Sequence, residues 1–524
     1  MFVGKSFFCK NTVAVFLNRA FHSVYVVILG FLLLLTFKHY ENSVLILLLS
    51  APICGLLLLC ALKYRIKADS LSPRLMHGIA WGCTLVVFIL SLVVGSFMLC
   101  RPFNDTGTLY YSVAEILETG SISKEINEYT CCYWSDGLSN HDYFVQHSHI
   151  LFPVCYLLPY FKIITSVFSI SMYSDTGIFA AIVFNAISIA ASCMFGFYAV
   201  RKAKGNGAAL LFMLFCLLCV PYYIHAYKPY SDTFSLPYTS LAVMGVFYAQ
   251  KHTQSRLPSV LWCVLASIAF ALGYLIKGNL LVLLVAACIY ILLAYSTKIR
   301  SLGIILLSFI LCVVVWQNVR QNLPFIDQSE ADRYKIPLAH YVMMGSTGDG
   351  GYNQADLQFT MSFDNYAEKN EAVIQRYMER VRERGAMGYL RFVCKKLVSG
   401  LSDGKFAQQG HIDQASGDGR IAAFLKTEGI YYPLFYTYTT IFITVLYLYM
   451  GACAVINSLS RSVRPSSFLH IAFFGTLLFY VFWEFKSRYL FNVIPIILMI
   501  AAMSVCDVAE VAQKAYRYVL HKKD

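Results

Sequence analysis

Twelve almost uninterrupted apolar blocks dominate the sequence, near 21–37, 43–62, 78–100, 177–199, 208–224, 236–250, 258–275, 280–296, 302–317, 433–456, 467–483 and 489–508. Each is close to the length a helix needs to cross roughly 30 Å of hydrocarbon, where every backbone polar group must be satisfied within the segment. Only 14% of the residues are charged, against about 25% in ordinary soluble domains. These features exclude a disordered chain, a collagen-like repeat and a soluble enzyme with one core. They predict an all-α polytopic membrane protein with about twelve transmembrane helices. Lys5, Lys10 and Arg19 precede the first block, but no small-residue cleavage site follows and a second span comes within a few residues. The first block therefore reads as a retained helix rather than a cleaved signal.

The formal net charge of +13 could suggest a nucleic-acid partner, yet no stretch combines a basic groove with interleaved aromatics. Its distribution gives another reason. If 147–170 is a pair of juxtamembrane helices broken near Pro159, alternate connections hold twenty lysines and arginines, including Arg65, Arg201, Lys204, Arg461 and Arg464. The short loops on the opposite side hold Lys38, Lys228, Lys277, Lys486 and Arg488. Such asymmetry orients a membrane protein and predicts that both termini are cytoplasmic. Most cysteines lie inside apolar blocks, where they behave as small hydrophobes. Cys131 and Cys132 are a pair in a polar segment, and no spacing of a zinc site is present.

The resulting organisation is three N-terminal spans (1–100), a first outer loop (101–176), six spans (177–317), an extracytoplasmic insertion (318–432), three spans (433–508) and a basic cytoplasmic tail (509–524). Within the insertion, 365–396 has helical periodicity, and Gly-rich stretches at 345–356 and 402–420 read as loops. The sequence GDGGYNQAD lacks the spacing of a calcium loop. No metal or cofactor is assigned, and dependence on a divalent cation is not readable from these residues.

Four clusters on the predicted outer side could carry chemistry. In RPFNDTGTLYYSVAEILETG, Asp105 follows the third span and precedes Tyr110 and Tyr111. A carboxylate at a membrane boundary is costly without a partner or a role; it serves there as a base for an acceptor hydroxyl or amine, as a cation ligand, or as a helix cap. His147 and His149 precede an apolar, Pro-broken segment, where they could bind phosphate, pass protons or anchor the interface. Glu484, Lys486 and Arg488 crowd a short outer turn, and Lys277 stands alone at another helix end. Guanidinium suits bidentate contact with phosphate, while snorkelling to headgroups is the simpler use of such residues. Asp232, in HAYKPYSDTFSLP, suits sugar recognition or capping.

Taken together, these stretches resemble the GT-C superfamily of membrane glycosyltransferases, which includes protein O-mannosyltransferases and the aminoarabinose transferases of lipid A. Asp105 and the helix YYSVAEILETG look like the first outer loop of that class. His147 to Pro159 is similar to its juxtamembrane segment, RKAKG to its next cytoplasmic turn, and SRYLFNVIP (487–495) to its late helix start. The resemblance implies a GT-C-like fold and transfer from a polyprenyl-phosphate-linked sugar donor to a cell-envelope acceptor (glycan, lipid or protein) on the outer face of the cell membrane, with inversion. It implies Asp105 as the catalytic carboxylate. Arg488, with Lys277 and Lys486, would meet the donor phosphate. Tyr110, Tyr111, His147, His149, Asp232 and Glu484 would shape the substrate site, and the insertion would cover it.

Two other readings stand beside it. A transporter or flippase of lipid-linked sugars would place charged residues near the bilayer midplane, whereas the spans here hold few in their middles. A non-catalytic envelope assembly protein has no need of Asp105 opposite Arg488. Separation of those two by more than the reach of a sugar phosphate, on the order of 10–15 Å, would favour the assembly protein.

Overall fold

The computed structural model describes residues 12–40, 42–130, 138–251, 256–327, 329 and 331–521; Cys131 and Cys132 lie outside the described residues. Among the described residues every regular element is a helix. The chain opens with α1 (Thr12–His39), α2 (Ser43–Asp69) and α3 (Pro73–Phe97). The start of α3 is set by Ser72, whose side chain accepts from the backbone N–H of Leu75, and by Pro73, placed where a helix needs no donor. Shorter helices follow: α4 (Asn104–Thr119), α5 (Asn140–Gln146) and α6 (Leu151–Phe168). Then come α7 (Asp175–Lys204), α8 (Asn206–Leu218) and α9 (Val220–Ile224), the last two separated at Cys219 just before Pro221. The short α10 (Ser231–Phe234) leads to α11 (Leu236–Lys251), α12 (Arg256–Ile276), α13 (Leu281–Ala294) and α14 (Lys298–Gln321).

The insertion contains α15 (Ala331–Tyr334), α16 (Leu338–Met344), α17 (Gln354–Met361), α18 (Tyr366–Ser402), α19 (Gln409–Asp413) and α20 (Arg420–Leu425). The chain closes with α21 (Tyr432–Leu459), α22 (Pro465–Phe482) and α23 (Ile494–His521). The central helix is α23: Ile496, Ile497, Leu498, Met499, Ile500, Ala501 and Ala502 are all fully buried, because their apolar run has no polar face to turn outward. It also runs on through most of the stretch expected to be a tail from 509.

Ten of these helices are long and apolar enough to cross a membrane, and α6 is among them. Ion pairs and hydrogen bonds sort the helix ends into two groups. At one end, Asp507 and Glu510 of α23 meet Lys204 at the end of α7, Arg65 near the end of α2 and Arg464 at the start of α22. At the other end, residues following α3 and α9 meet those between α12 and α13 and those preceding α23. Since α7 ends with the first group, it starts with the second, where α3 finishes. A full crossing by α6 would deliver the chain to the wrong end. The helix instead lies against α4, Phe161 meeting the ring of Tyr110 at 5.6 Å. Excluding α6 and counting α8 with α9, α11 and α13 as traverses gives an alternating bundle of twelve.

Both ends of α14 and α21 agree with this alternation, so the whole insertion sits at the second end. Its main helix, α18, is capped by Asn365, whose side chain accepts from Glu368 N–H at 3.0 Å. Val373 and Val393 are buried as the periodicity predicts, but Ile374 and Leu390 are exposed. Gly385, whose φ of 62° lies outside the helical region, divides α18 into two halves. Lys396 ties α18 to the bundle by donating to the carbonyls of Gly345 and Trp483, both at 2.7 Å. Gly345 permits that approach: a Cβ there would lie 2.6 Å from the Glu484 nitrogen.

Candidate functional site

The second end gathers the residues that carry charge. Asp105 sits in the first turn of α4, where neither it nor its neighbours cap the helix; the N-cap position is Phe103. Its carboxylate instead takes a hydrogen bond from Tyr143 at 3.2 Å (Oδ1) and one from Tyr230 at 3.3 Å (Oδ2). Arg488 Nη2 lies 3.9 Å from Oδ2, and the Asp105 side chain keeps 38% of its surface accessible. Asp232, in α10, likewise does not cap. It is buried between Lys277 at 2.8 Å and Arg488 at 3.6 Å. Short connections deliver all four groups: Arg488 lies on the 3-10 turn Ser487–Val493 ahead of α23, and Lys277 joins α12 to the turn Gly278–Leu280.

Aromatic rings hold these cations in place. The Tyr230 ring has Arg488, Lys277 and Lys228 at 5.2, 5.5 and 5.7 Å from its centroid, and Tyr489 carries Lys277 at 4.9 Å. Burial alone would raise the Asp105 carboxyl; the positive field of Arg488 and Lys228 and the Tyr143 hydrogen bond outweigh it and leave the group below its ordinary range. Asp232 behaves the same way, its burial outweighed by Lys277 and Arg488. Burial pushes Glu484 upward, against the hydrogen bond that Tyr489 donates to it at 2.8 Å. Lys228 is brought down to about 7 by burial and by the like charge of Arg488, with Lys277 adding to it and Asp232 and Asp105 opposing.

The residues expected in the site divide. Asp105, Asp232, Lys277 and Arg488 form one contact network, with Glu484 beside it through Tyr489. His147 is adjacent, its ring 4.7 Å from that of Tyr143 and its Nδ1 3.2 Å from the Tyr341 hydroxyl of the insertion. Burial holds His147 down to about 3, so its imidazole is neutral at physiological pH. His149 is exposed, 5.9 Å from the His147 ring. Tyr110 and Tyr111 are in the packing layer instead: Tyr110 donates to the Met172 carbonyl at 2.6 Å, and Tyr111 stacks on Tyr173. This follows from helical spacing, since five or six residues beyond Asp105 is well over one turn away. Lys486 is exposed and stands over Tyr352, 5.8 Å from its centroid.

Four groups at the site were not singled out by sequence reasoning: Tyr143, Tyr230, Lys228 and His411. Lys228 and Tyr230 share a loop with Asp232, and Lys228 was already one of five isolated outer cations. His411 lies on the short helix α19, within the Gly-rich stretch 402–420 that the sequence reads as a loop, with no pattern to mark it; its Nε2 lies 3.1 Å from Lys228 Nζ.

The arrangement is that of a polytopic helical membrane protein with an ionised, accessible carboxylate facing buried cations at one end of its bundle. Residues 167–509 match the profile of a family described as conserved hypothetical integral membrane protein, and the chain belongs to that family. No curated protein matches it. Among solved structures, ArnT from Cupriavidus metallidurans bound to undecaprenyl phosphate aligns with 83% of this chain and 78% of that one, at 12% identity and a TM-score of 0.35.

Proposed function

We propose that this protein is an inverting GT-C-type glycosyltransferase that moves a sugar from a polyprenyl-phosphate-linked donor to a cell-envelope acceptor on the outer face of the cell membrane. The observation that carries the reading is the 3.9 Å approach of Arg488 to an accessible Asp105. Transfer from a lipid phosphate needs both groups: a base for the incoming nucleophile and positive charge for the departing phosphate. Asp105 takes the proton of the acceptor hydroxyl as its oxygen bonds to the anomeric carbon. The bond from that carbon to the phosphate oxygen breaks, and Arg488 stabilises the negative charge left on the polyprenyl phosphate. Tyr143 and Tyr230 hold the carboxylate in orientation, and Lys277 with Asp232 fixes Arg488. The test is release of polyprenyl phosphate from a donor by the purified protein in vesicles supplied with an envelope extract. Release that does not depend on Arg488 would refute the assignment.

The outer placement rests on the lysine and arginine bias of the short loops. A phosphatase reporter fused after Asp327 is expected to be active in intact cells, and one fused after Ala203 inactive. The reverse pattern would turn the protein over and put the site in the cytoplasm.

The charge states also predict the pH profile. A carboxylate base works above its own pKa and fails as pH falls through it, and Asp105 lies below 3.8. His147 and His411, both near 3, add no titration nearby. Transfer is therefore expected to hold level from about pH 5 to 6.5. It declines past about 7, where Lys228 loses its proton amid Arg488, Lys277, Asp232, Asp105 and His411. An acidic limb near pH 6 would exclude Asp105 as the base.

A further inference from the structure

The two halves of α18 on either side of Gly385 differ in composition. Residues 366–384 carry Glu368, Glu371, Glu379 and Glu383 among Lys369, Arg376, Arg380, Arg382 and Arg384, whereas 386–402 carry Arg391, Lys395 and Lys396 and no acidic residue. The second half packs on α1 and on the end of α22, with Val393, Leu397 and Leu401 buried. Lys396 reaches the carbonyl of Trp483, which closes α22, and a Cβ on Gly400 would strike the Phe485 ring. This stretch therefore lies where α22 leaves the hydrocarbon. Its opposite face is uncovered: Met387, Leu390, Arg391, Cys394 and Lys395 recur at i, i+3, i+4, i+7 and i+8, a single stripe. Met387 and Leu390 keep 61% and 55% of their surface accessible, Arg391 and Lys395 are exposed, and Cys394 is half-buried.

Most other cations of α18 are used inside the protein. Arg380 pairs with Asp356 at 2.6 Å, Arg376 covers the Phe359 ring, Arg384 covers Phe392, and Lys369 and Lys396 donate to backbone carbonyls. Among the described residues Arg391 and Lys395 make no hydrogen bond, ion pair or ring contact. The first half also exposes Ile374 and Met378, but these stand among Glu371, Gln375 and Glu379, a face suited to water. In the second half no acid offsets the cations, so the stripe is complementary to a surface that is apolar below and anionic above. A second copy of this chain does not fit that description: a two-fold contact would set the stripe against itself and bring four cations together.

We propose that the second half of α18 lies in the plane of the headgroup layer and binds anionic phospholipid. Met387, Leu390 and Cys394 enter the acyl boundary, and Arg391 and Lys395 extend along it to meet phosphodiester headgroups, as long cationic side chains do at such a boundary. The insertion is then fastened to the membrane surface along half of its main helix, while the half before Gly385, with its mixed charge, stands in water. This surface is separate from Asp105 and Arg488 and needs no transferase activity.

The test places the full chain in bilayer nanodiscs of phosphatidylglycerol and phosphatidylcholine in equal amounts, with Leu390 or Gln375 replaced by photoreactive benzoylphenylalanine. On illumination, position 390 is expected to capture lipid, phosphatidylglycerol over phosphatidylcholine by about fivefold or more. Position 375, on the half that stands in water, is expected to capture none. Arg391→Gln combined with Lys395→Gln brings the two lipids to equal capture, while Arg382→Gln, a cation flanked by Glu379 and Glu383, leaves the preference unchanged. If the photoreactive chain does not insert, native mass spectrometry of the ordinary chain decides the matter: the double Gln variant is expected to retain fewer phosphatidylglycerol molecules through delipidation than the parent. No lipid captured at position 390, capture of a second copy of the chain, equal capture of the two lipids by the parent, or equal retention by parent and double variant would overturn the proposal.

Discussion

Asp105→Asn is expected to lower turnover by roughly 10²–10⁴-fold, the usual worth of a positioned general base. The change is nearly isosteric: the amide oxygen still accepts from one of Tyr143 and Tyr230, and the other hydroxyl can turn to accept from the amide NH2, so the fold and membrane insertion should persist. Because the substitution removes a negative charge beside the proposed phosphate site, the apparent affinity for donor should hold or improve while kcat collapses. That split separates the loss of a base from the loss of a binding group. Asp105→Glu should recover part of the rate, since the longer side chain still reaches the site from the first turn of α4. Full activity of the Asn variant in properly inserted protein would remove Asp105 from the mechanism.

The second large effect falls on stability. Asp232 is 2% exposed and faces both Lys277 and Arg488. Asp232→Ala leaves two cations in a dry environment with one shared carboxylate fewer, a change expected to cost about 3–5 kcal/mol. Thermal unfolding in detergent reads the loss. A second substitution, Lys277→Met, should restore a large part of it by removing the stranded charge, so the double variant is more stable than Asp232→Ala alone. The pH dependence has a definite sign. Asp232 has a carboxyl held below its ordinary value, so its contribution is present above the unfolded pKa and lost as pH falls through the folded one. If Asp232→Ala were as stable as the parent, the ion cluster would contribute nothing and the site would be a surface feature.

Much of the bundle is legible in the residues. Apolar blocks and loop charges gave the number of traverses, and the parity of Arg201, Lys202 and Lys204 argues for leaving 147–170 out of the set of crossings, although α6 is among the helices with the length and composition to cross. The ends of α8 and α23 were harder to read. Pro221 divides one apolar block into α8 and α9, and α23 continues past its apolar core because Asp507 and Glu510 are paired with cations rather than solvated. At the site, residues beside a helix end were readable because a charge there is expensive wherever it points. Tyr110 and Tyr111 misled because sequence proximity to Asp105 does not place them on its face of α4. Tyr143 and His411 left no mark at all: their roles are set by tertiary contacts across 38 and 183 residues of chain. The cap readings of Asp105 and Asp232 failed for a related reason. Partners from distant loops offered these carboxylates more than the local backbone did.

In the proposed reaction a sugar leaves a lipid phosphate at Asp105 and appears on an envelope molecule. The most direct measurement compares, by mass spectrometry, the envelope glycans and lipid-linked sugars of cells carrying the wild-type chain with those of cells carrying only Asp105→Asn. One sugar mass increment is expected on an envelope component in the first and missing in the second, with the polyprenyl-phosphate sugar accumulating in its place. Identical profiles, with both proteins inserted at equal levels, would contradict it.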